Sequence, residues 1–208
     1  FSPSSIIDDS PMVLKGAKRG KTWRPQNFDK RFHGPTTLRD GLIPSRNIVA
    51  IKLLQGVGIE QVIQLARELG ISSEITADLN VALGSSGVSL LELVKAYAVF
   101  ANSGYRVEPV FVTKIVDREG NVIAEAPPVR EKVMEKNTAY IMTNLLESVV
   151  KQGTGRRVRA LGRPVAGKTG TTNNLFDAWF VGFTPRYVTG TWVGFDEEGS
   201  LGKHETGA

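Results

Sequence analysis

Apolar positions along this chain change period as the sequence proceeds, and each change predicts a different kind of element. Residues 1–35 mix proline, serine, glycine and charge with no sustained period, which predicts loop with short strands. Thr36 or Thr37 then offers a cap for a short helix through Ile43, which Pro44 ends. Ile48, Val49, Ile51, Leu53 and Leu54 follow at helical spacing and stop at Gly56 and Gly58. Glu60 to Leu69 predicts another helix, with Val62, Ile63, Leu65, Ala66 and Leu69 on one stripe and Gly70 at its end. Ser89-Leu90-Leu91-Glu92 has the form of a capping box and opens a helix to about Asn102, stopped by Gly104. Val110 to Val116 and Val122 to Ala126 flank the turn Arg118-Glu119-Gly120-Asn121 and predict a β-hairpin. Asn137 can cap a long helix to about Val150, ended by Gly153 and Gly155. The remainder is strand-like: Val165 to Thr172, Ala178 to Phe183 and Val188 to Phe195, with turns at Asn173-Asn174 and Pro185-Arg186. Helices, a hairpin, a helix and then a β-meander predict an α+β fold with an antiparallel sheet flanked by helices, in place of βαβ alternation.

The 208 residues suit one domain or a large piece of one. The most apolar run, Leu90 to Ala101, is broken by Glu92 and Lys95, so it does not read as a membrane span. No signal peptide is visible at Phe1. The chain opens without Met and stops at GKHETGA, and both ends are expected to be cuts in a longer protein. With no cysteine, disulfides, thiolate metal sites and cysteine nucleophiles drop out, and an oxidising compartment is compatible. The only histidines, His33 and His204, match neither a metal-ligand nor a triad pattern and read as surface or loop residues. No metal or cofactor is called for. Net charge is +5. It gathers in two clusters, one of Lys15, Lys18, Arg19, Lys21, Arg24, Lys30 and Arg31, the other of Arg156, Arg157, Arg159 and Arg163. No nucleic-acid motif accompanies them, so a solvated face is the plain reading, with an anionic envelope surface second.

Two motifs mislead. GRPVAGKT, Gly162 to Thr169, fits the phosphate-binding P-loop pattern, with WVGFDE downstream as a magnesium-holding mimic. A P-loop must open a helix, whereas TGTTNNLFDAW after Lys168 is β-branched and turn-rich. A P-loop NTPase therefore stays a weak alternative. Ser148 and Lys151 fit S-x-x-K, but the pair sits at a helix end beside QGTG, where a lysine serves as ordinary capping.

The third constellation is Ser45-Arg46-Asn47 with Lys168-Thr169-Gly170-Thr171. An S-x-N triplet arises by chance in about half of such chains, and K-T-G in roughly one in twenty. Read singly, Ser45 is a helix cap after Pro44 and KTGT an edge strand. Such a strand places Thr169 and Thr171 on one face and Lys168 on the other. It can hold an extended anionic peptide by strand addition plus charge, while Gly170 lets a neighbour approach the backbone.

These residues resemble the penicillin-recognising serine transpeptidases, and more closely the transpeptidase domain of class A (bifunctional) penicillin-binding proteins, within the superfamily shared with serine β-lactamases. The likeness is carried by GKTGTTNNLFDAWFVGFTP, TWVGFDE, LGSSGVSLLELVKAYAVFANSGY, SVVKQGTG and GPTTLRDGLIPSRN, and covers nearly the whole chain. It implies a D,D-transpeptidase that cross-links peptidoglycan stem peptides ending in D-Ala-D-Ala through an acyl-serine and is trapped by β-lactams. It also implies a place on the outer face of the bacterial cytoplasmic membrane, an upstream anchor and an accompanying glycosyltransferase. Ser45 would relay a proton, Asn47 would hold the substrate backbone and a catalytic lysine, and Lys168 would be the cation beneath the site. Thr169, Gly170 and Thr171 would bind the substrate, with the Thr171 amide in the oxyanion hole. Arg46 departs from the S-D-N form at a position that varies in the family.

Nothing before Ser45 fits S-x-x-K. By analogy with the family, the nucleophilic serine and its lysine are expected about 15 residues upstream of Phe1. Residues 1–208 would then be the C-terminal part of a single transpeptidase domain, unable to acylate alone and dependent on the preceding part of the same protein. The competing expectation is a non-catalytic penicillin-recognising binding or sensor module.

Overall fold

The computed structural model describes residues 1–15, 22–172, 175–197, 199–202 and 206–208. The expected turn at Asn173-Asn174, His204, and Lys18, Arg19 and Lys21 of the basic cluster lie outside the described residues.

The N-terminal part places strand β1 (Ile6–Asp9) antiparallel to β4 (Gly34–Thr37), with a small ladder of β2 (Leu14–Lys15) and β3 (Thr22–Trp23) between them in sequence. Thr37 caps the short helix α1 (Leu38–Leu42) by accepting from the Asp40 amide. Helices α2 (Asn47–Val57) and α3 (Ile59–Glu68) follow, joined at Gly58, whose φ of 98° suits glycine. Helix α4 (Leu90–Ala101) opens with the expected capping box, Ser89 and Glu92 satisfying each other's backbone amides. After β5 (Tyr105–Val107), the hairpin of β6 (Lys114–Val116) and β7 (Val122–Glu125), and β8 (Arg130–Lys132) comes the long helix α5 (Lys136–Gln152). The last strands are β9 (Ala166–Thr171), β10 (Ala178–Phe183) and β11 (Val188–Val193), hydrogen-bonded in the order β11-β10-β9. All strand pairings among the described residues are antiparallel, so the α+β expectation holds.

Three boundaries differ from expectation. The hairpin ladder begins at Lys114, not Val110, because Pro127 and Pro128 have no amide to continue the pairing. Helix α5 starts two residues early, with Glu135 at the cap position and Asn137 inside the first turn. The amides of Val133 and Met134 both donate to the Gly104 carbonyl, which fixes where the chain turns into the helix. Strand β11 ends at Val193 because Ala178, its partner, is the first residue of β10.

Helices α4 and α5 pack on the three-stranded sheet. Leu146 of α5 meets Ala166 and Phe183 there, against Tyr97 and Phe100 of α4. The core of α2 is Ile48, Val49, Ile51 and Leu54. Arg39 of α1 ties the two regions together. Its guanidinium donates to Ser148 Oγ (2.6 Å) and Asn144 Oδ1 (2.8 Å) of α5.

Glu92 is the polar knot of the α3–α4 connection. Its carboxylate accepts from the amides of Ser72 (2.7 Å) and Ser73 (2.8 Å), both of their hydroxyls, and the Ser89 amide (2.9 Å). These bonds, the Ser73 and Ser72 hydroxyls first, hold its pKa well below the usual 4.5. A depressed carboxylate pKa stabilises the fold above the unfolded value and ceases to do so as pH falls. Glu92→Ala should therefore cost about 2–4 kcal/mol at neutral pH, read as a lower denaturant midpoint. The wild-type advantage should shrink as the pH drops below the usual glutamate range, and a variant of unchanged stability would contradict this account.

Candidate active site

The site lies where the α1–α2 junction faces strand β9. Pro44 and the short turn after α1 leave Ser45 in the left-handed region, at φ 61°. For a serine this costs about 1–2 kcal/mol unless surrounding bonds enforce it. Here they do: the Ser45 amide donates to Leu42 O (3.0 Å) and the Arg46 amide to Gly41 O (2.8 Å). The result turns the Ser45 hydroxyl toward β9, where Lys168 Nζ donates to Ser45 Oγ at 2.9 Å. The same nitrogen donates to the Thr169 carbonyl at 2.9 Å. Burial pushes the Lys168 pKa down from 10.5 to about 8. A lysine poised there exchanges protons near neutral pH, and its neutral amine can accept one from the hydroxyl it touches.

Helix α5 ends on this junction. A Cβ on Gly153 would collide with the Ile43 carbonyl, so this helix end can dock only without a side chain. The next residue, Thr154, places its Oγ1 2.6 Å from Thr169 Oγ1, and its amide donates to Ile43 O at 3.4 Å. Thr154 thus bridges the serine turn and the KTGT strand. In the sequence, the signal for Thr154 is its two flanking glycines, which permit close backbone approach.

Ser45 and Lys168 are brought into contact. Asn47 is the first residue of α2, its Nδ2 donating to the Gln26 carbonyl at 2.8 Å. Thr169 is buried and bonded to Thr154. Thr171 is exposed, with Oγ1 accepting from the Gly207 amide at 3.1 Å. Gly170 sits opposite Trp179, where a Cβ would come within 3.2 Å of the tryptophan Cβ. Beyond Thr171, the Thr172 hydroxyl accepts from the Phe176 (3.1 Å) and Asp177 (2.8 Å) amides and fixes the end of β9. An apolar cleft of about 270 Å³ at the other end of β9, lined by Phe100, Tyr140, Val165 and Phe183, contains none of these residues.

The misleading motifs resolve physically. Lys168 lies within a strand whose partner runs antiparallel, not at the mouth of a helix, so GRPVAGKT cannot cradle phosphate as a P-loop. Ser148 Oγ donates to Asn144 O (3.0 Å) and accepts from Arg39, while Lys151 pairs with Glu147 at 2.6 Å. His33 is a loop residue whose Nε2 sits 2.9 Å from Asp29. Arg156, Arg157, Arg159 and Arg163 are all exposed.

Comparison with known proteins follows this geometry. The penicillin binding protein transpeptidase domain profile matches residues 1–194. Penicillin-binding protein 1A of Aquifex aeolicus is 43% identical over 204 residues, which cover 98% of this chain and 28% of that protein. The solved penicillin-binding protein 1A from Haemophilus influenzae superposes with a TM-score of 0.93 at 30% identity, over 99% of this chain and 37% of that one. The PonA1 protein of Mycobacterium tuberculosis, solved in complex with penicillin V, superposes with a TM-score of 0.78 at 26% identity, over 93% of this chain and 55% of that one. The chain spans between 26% and 32% of the length of the curated relatives it matches.

The lysine makes a direct prediction. In a lysine-specific NMR titration of the protein, Lys168 should titrate near pH 8, and Lys168→Arg should remove that titration. A midpoint at the ordinary 10.5 would contradict the desolvated environment.

Proposed function

The chain belongs to the penicillin-binding protein transpeptidase family, and on that premise we propose that it forms the C-terminal part of a single D,D-transpeptidase domain that cross-links peptidoglycan stem peptides. The observation that carries the reading is the 2.9 Å contact between Lys168 and Ser45, which joins two motifs far apart in sequence.

In this reading a serine outside residues 1–208 attacks the carbonyl between the two terminal D-alanines. The peptide C–N bond breaks, the departing D-alanine takes a proton, and an acyl-serine forms. An amino group of a neighbouring stem peptide then attacks the acyl carbon, forming the cross-link and freeing the serine. A β-lactam undergoes the first step, and its opened ring remains on the serine.

The proton is the task of the Ser45–Lys168 pair. With a pKa near 8, Lys168 shares a proton with the Ser45 hydroxyl, which passes it to the departing nitrogen. Asn47 orients the substrate backbone and the catalytic lysine. Thr169, Gly170 and Thr171 lie on β9, which pairs on one side only among the described residues, and its other side accepts an extended peptide as an added strand in this reading. The Thr171 hydroxyl faces the substrate carboxylate, and its amide stabilises the oxyanion. The penicillin V complex of the PonA1 relative supports β-lactam recognition. The relatives' greater length supports a protein with further segments; in this reading they include an anchor that places the domain on the outer face of the cytoplasmic membrane and a glycosyltransferase.

The test is the rate of acylation of the full-length protein by a fluorescent penicillin. Lys168→Ala and Ser45→Ala should each lower it by about 10²–10⁴-fold, the range for a lost proton-transfer group. The wild-type rate should fall as pH rises through about 8, where Lys168 loses the proton that Ser45 passes on. Unimpaired acylation in both variants would overturn the assignment.

A further inference from the structure

Resting on the transpeptidase reading, we propose that Asp9 and Asn27 are positioning residues. Together with Arg46 they form a buried clamp that holds Ser45 in its left-handed conformation, within reach of Lys168.

Helix α2 has no cap of its own: Arg46 occupies the cap position without a side-chain bond to the first-turn amides. The cap comes from 21 residues upstream, where Asn27 Oδ1 accepts from the Ile48 amide at 3.2 Å. Asn27 also donates through Nδ2 to both oxygens of Asp9, at 2.9 Å each, and to the Arg31 carbonyl at 2.8 Å. Asp9 is fully buried, at 0% exposure, and Asn27 is at 5%. The Arg46 guanidinium completes the group, with Nη1 3.3 Å from Asp9 Oδ2. Next to Asn27, the Gln26 carbonyl accepts from Asn47.

The helix side of the serine turn is thus fastened to strand β1 and to the Gln26-Asn27 loop. Ser45 cannot relax to an ordinary backbone conformation unless Arg46 or the helix start shifts. Arg46 cannot shift without taking its guanidinium away from the buried Asp9 carboxylate, which would keep only the Asn27 amide as a side-chain partner, and losing one member of such a buried group is unfavourable. The clamp also accounts for the arginine in the middle of the serine motif. Its side chain does not face Lys168; it points into the fold and secures the backbone that carries the two residues on either side.

The experiment uses the full-length protein and penicillin, and separates the acylation rate constant at saturation from the half-saturating concentration, both per titrated active site. Asp9→Asn and Asn27→Ala should lower the rate constant about tenfold or more, since a displacement near 1 Å suffices for such losses. The half-saturating concentration should move less than the rate constant does. Lys52→Met is the control. Lys52 Nζ ties α2 to the Asp8 carbonyl (2.6 Å) and Ser10 Oγ (2.9 Å) of the same N-terminal segment without touching the clamp. It should lower the melting temperature while sparing the rate constant. If Asp9→Asn does not fold, Arg46→Lys decides, with an expected fall of about threefold because the single ammonium replaces the guanidinium fork. Unchanged rate constants in the clamp variants, or an equal loss in Lys52→Met, would overturn the clamp. A wild-type protein that penicillin does not acylate would instead overturn the transpeptidase reading, and the clamp with it.

Discussion

A lysine nitrogen taken out of water sets the terms for this fold. Lys168 reaches from strand β9 to a hydroxyl and a carbonyl, and its pKa falls to about 8 because burial penalises its charged form. Such a group is useful only if its partner hydroxyl stays within hydrogen-bonding distance. The serine turn and the strand belong to different parts of the chain, so the architecture must hold two remote segments to within a fraction of an ångström.

Two devices do this from opposite sides. From the sheet side, α5 lies on β9 and ends at Gly153-Thr154, where the missing side chain and the Thr154 hydroxyl join the Ile43 carbonyl to Thr169. Arg39 fastens α1 to the middle of the same helix through Ser148 and Asn144. From the other side, β1 and the Gln26-Asn27 loop grip the start of α2. The left-handed Ser45 is the point at which the two meet. Energy stored in that backbone is affordable only because each neighbouring amide already has a partner.

Local chemistry made much of this legible from sequence. The Ser89–Glu92 box and the glycine after α2 announce themselves within a few residues, and the structure contains both. The family resemblance led to Ser45 and Lys168 as a pair. What stayed hidden depends on distant partners. Asp9 and Asn27 sit in a stretch of proline, glycine and charge that reads as loop, yet both are buried, because their partners lie on a helix that begins at Asn47. The start of α5 was displaced from Asn137 by backbone bonds to Gly104, far back in the chain. Thr154 gave only the indirect signal of two flanking glycines. Hydrogen bonds between segments far apart in sequence leave no period to read.

The account rests on residues 1–208 completing a site whose nucleophile lies elsewhere in the protein. The most direct measurement is intact mass and peptide mapping of the full-length protein after reaction with penicillin. The account predicts one adduct, on a serine outside these 208 residues and followed three positions later by lysine. An adduct on Ser148 or any other serine of this chain, or none on a folded protein, would contradict it.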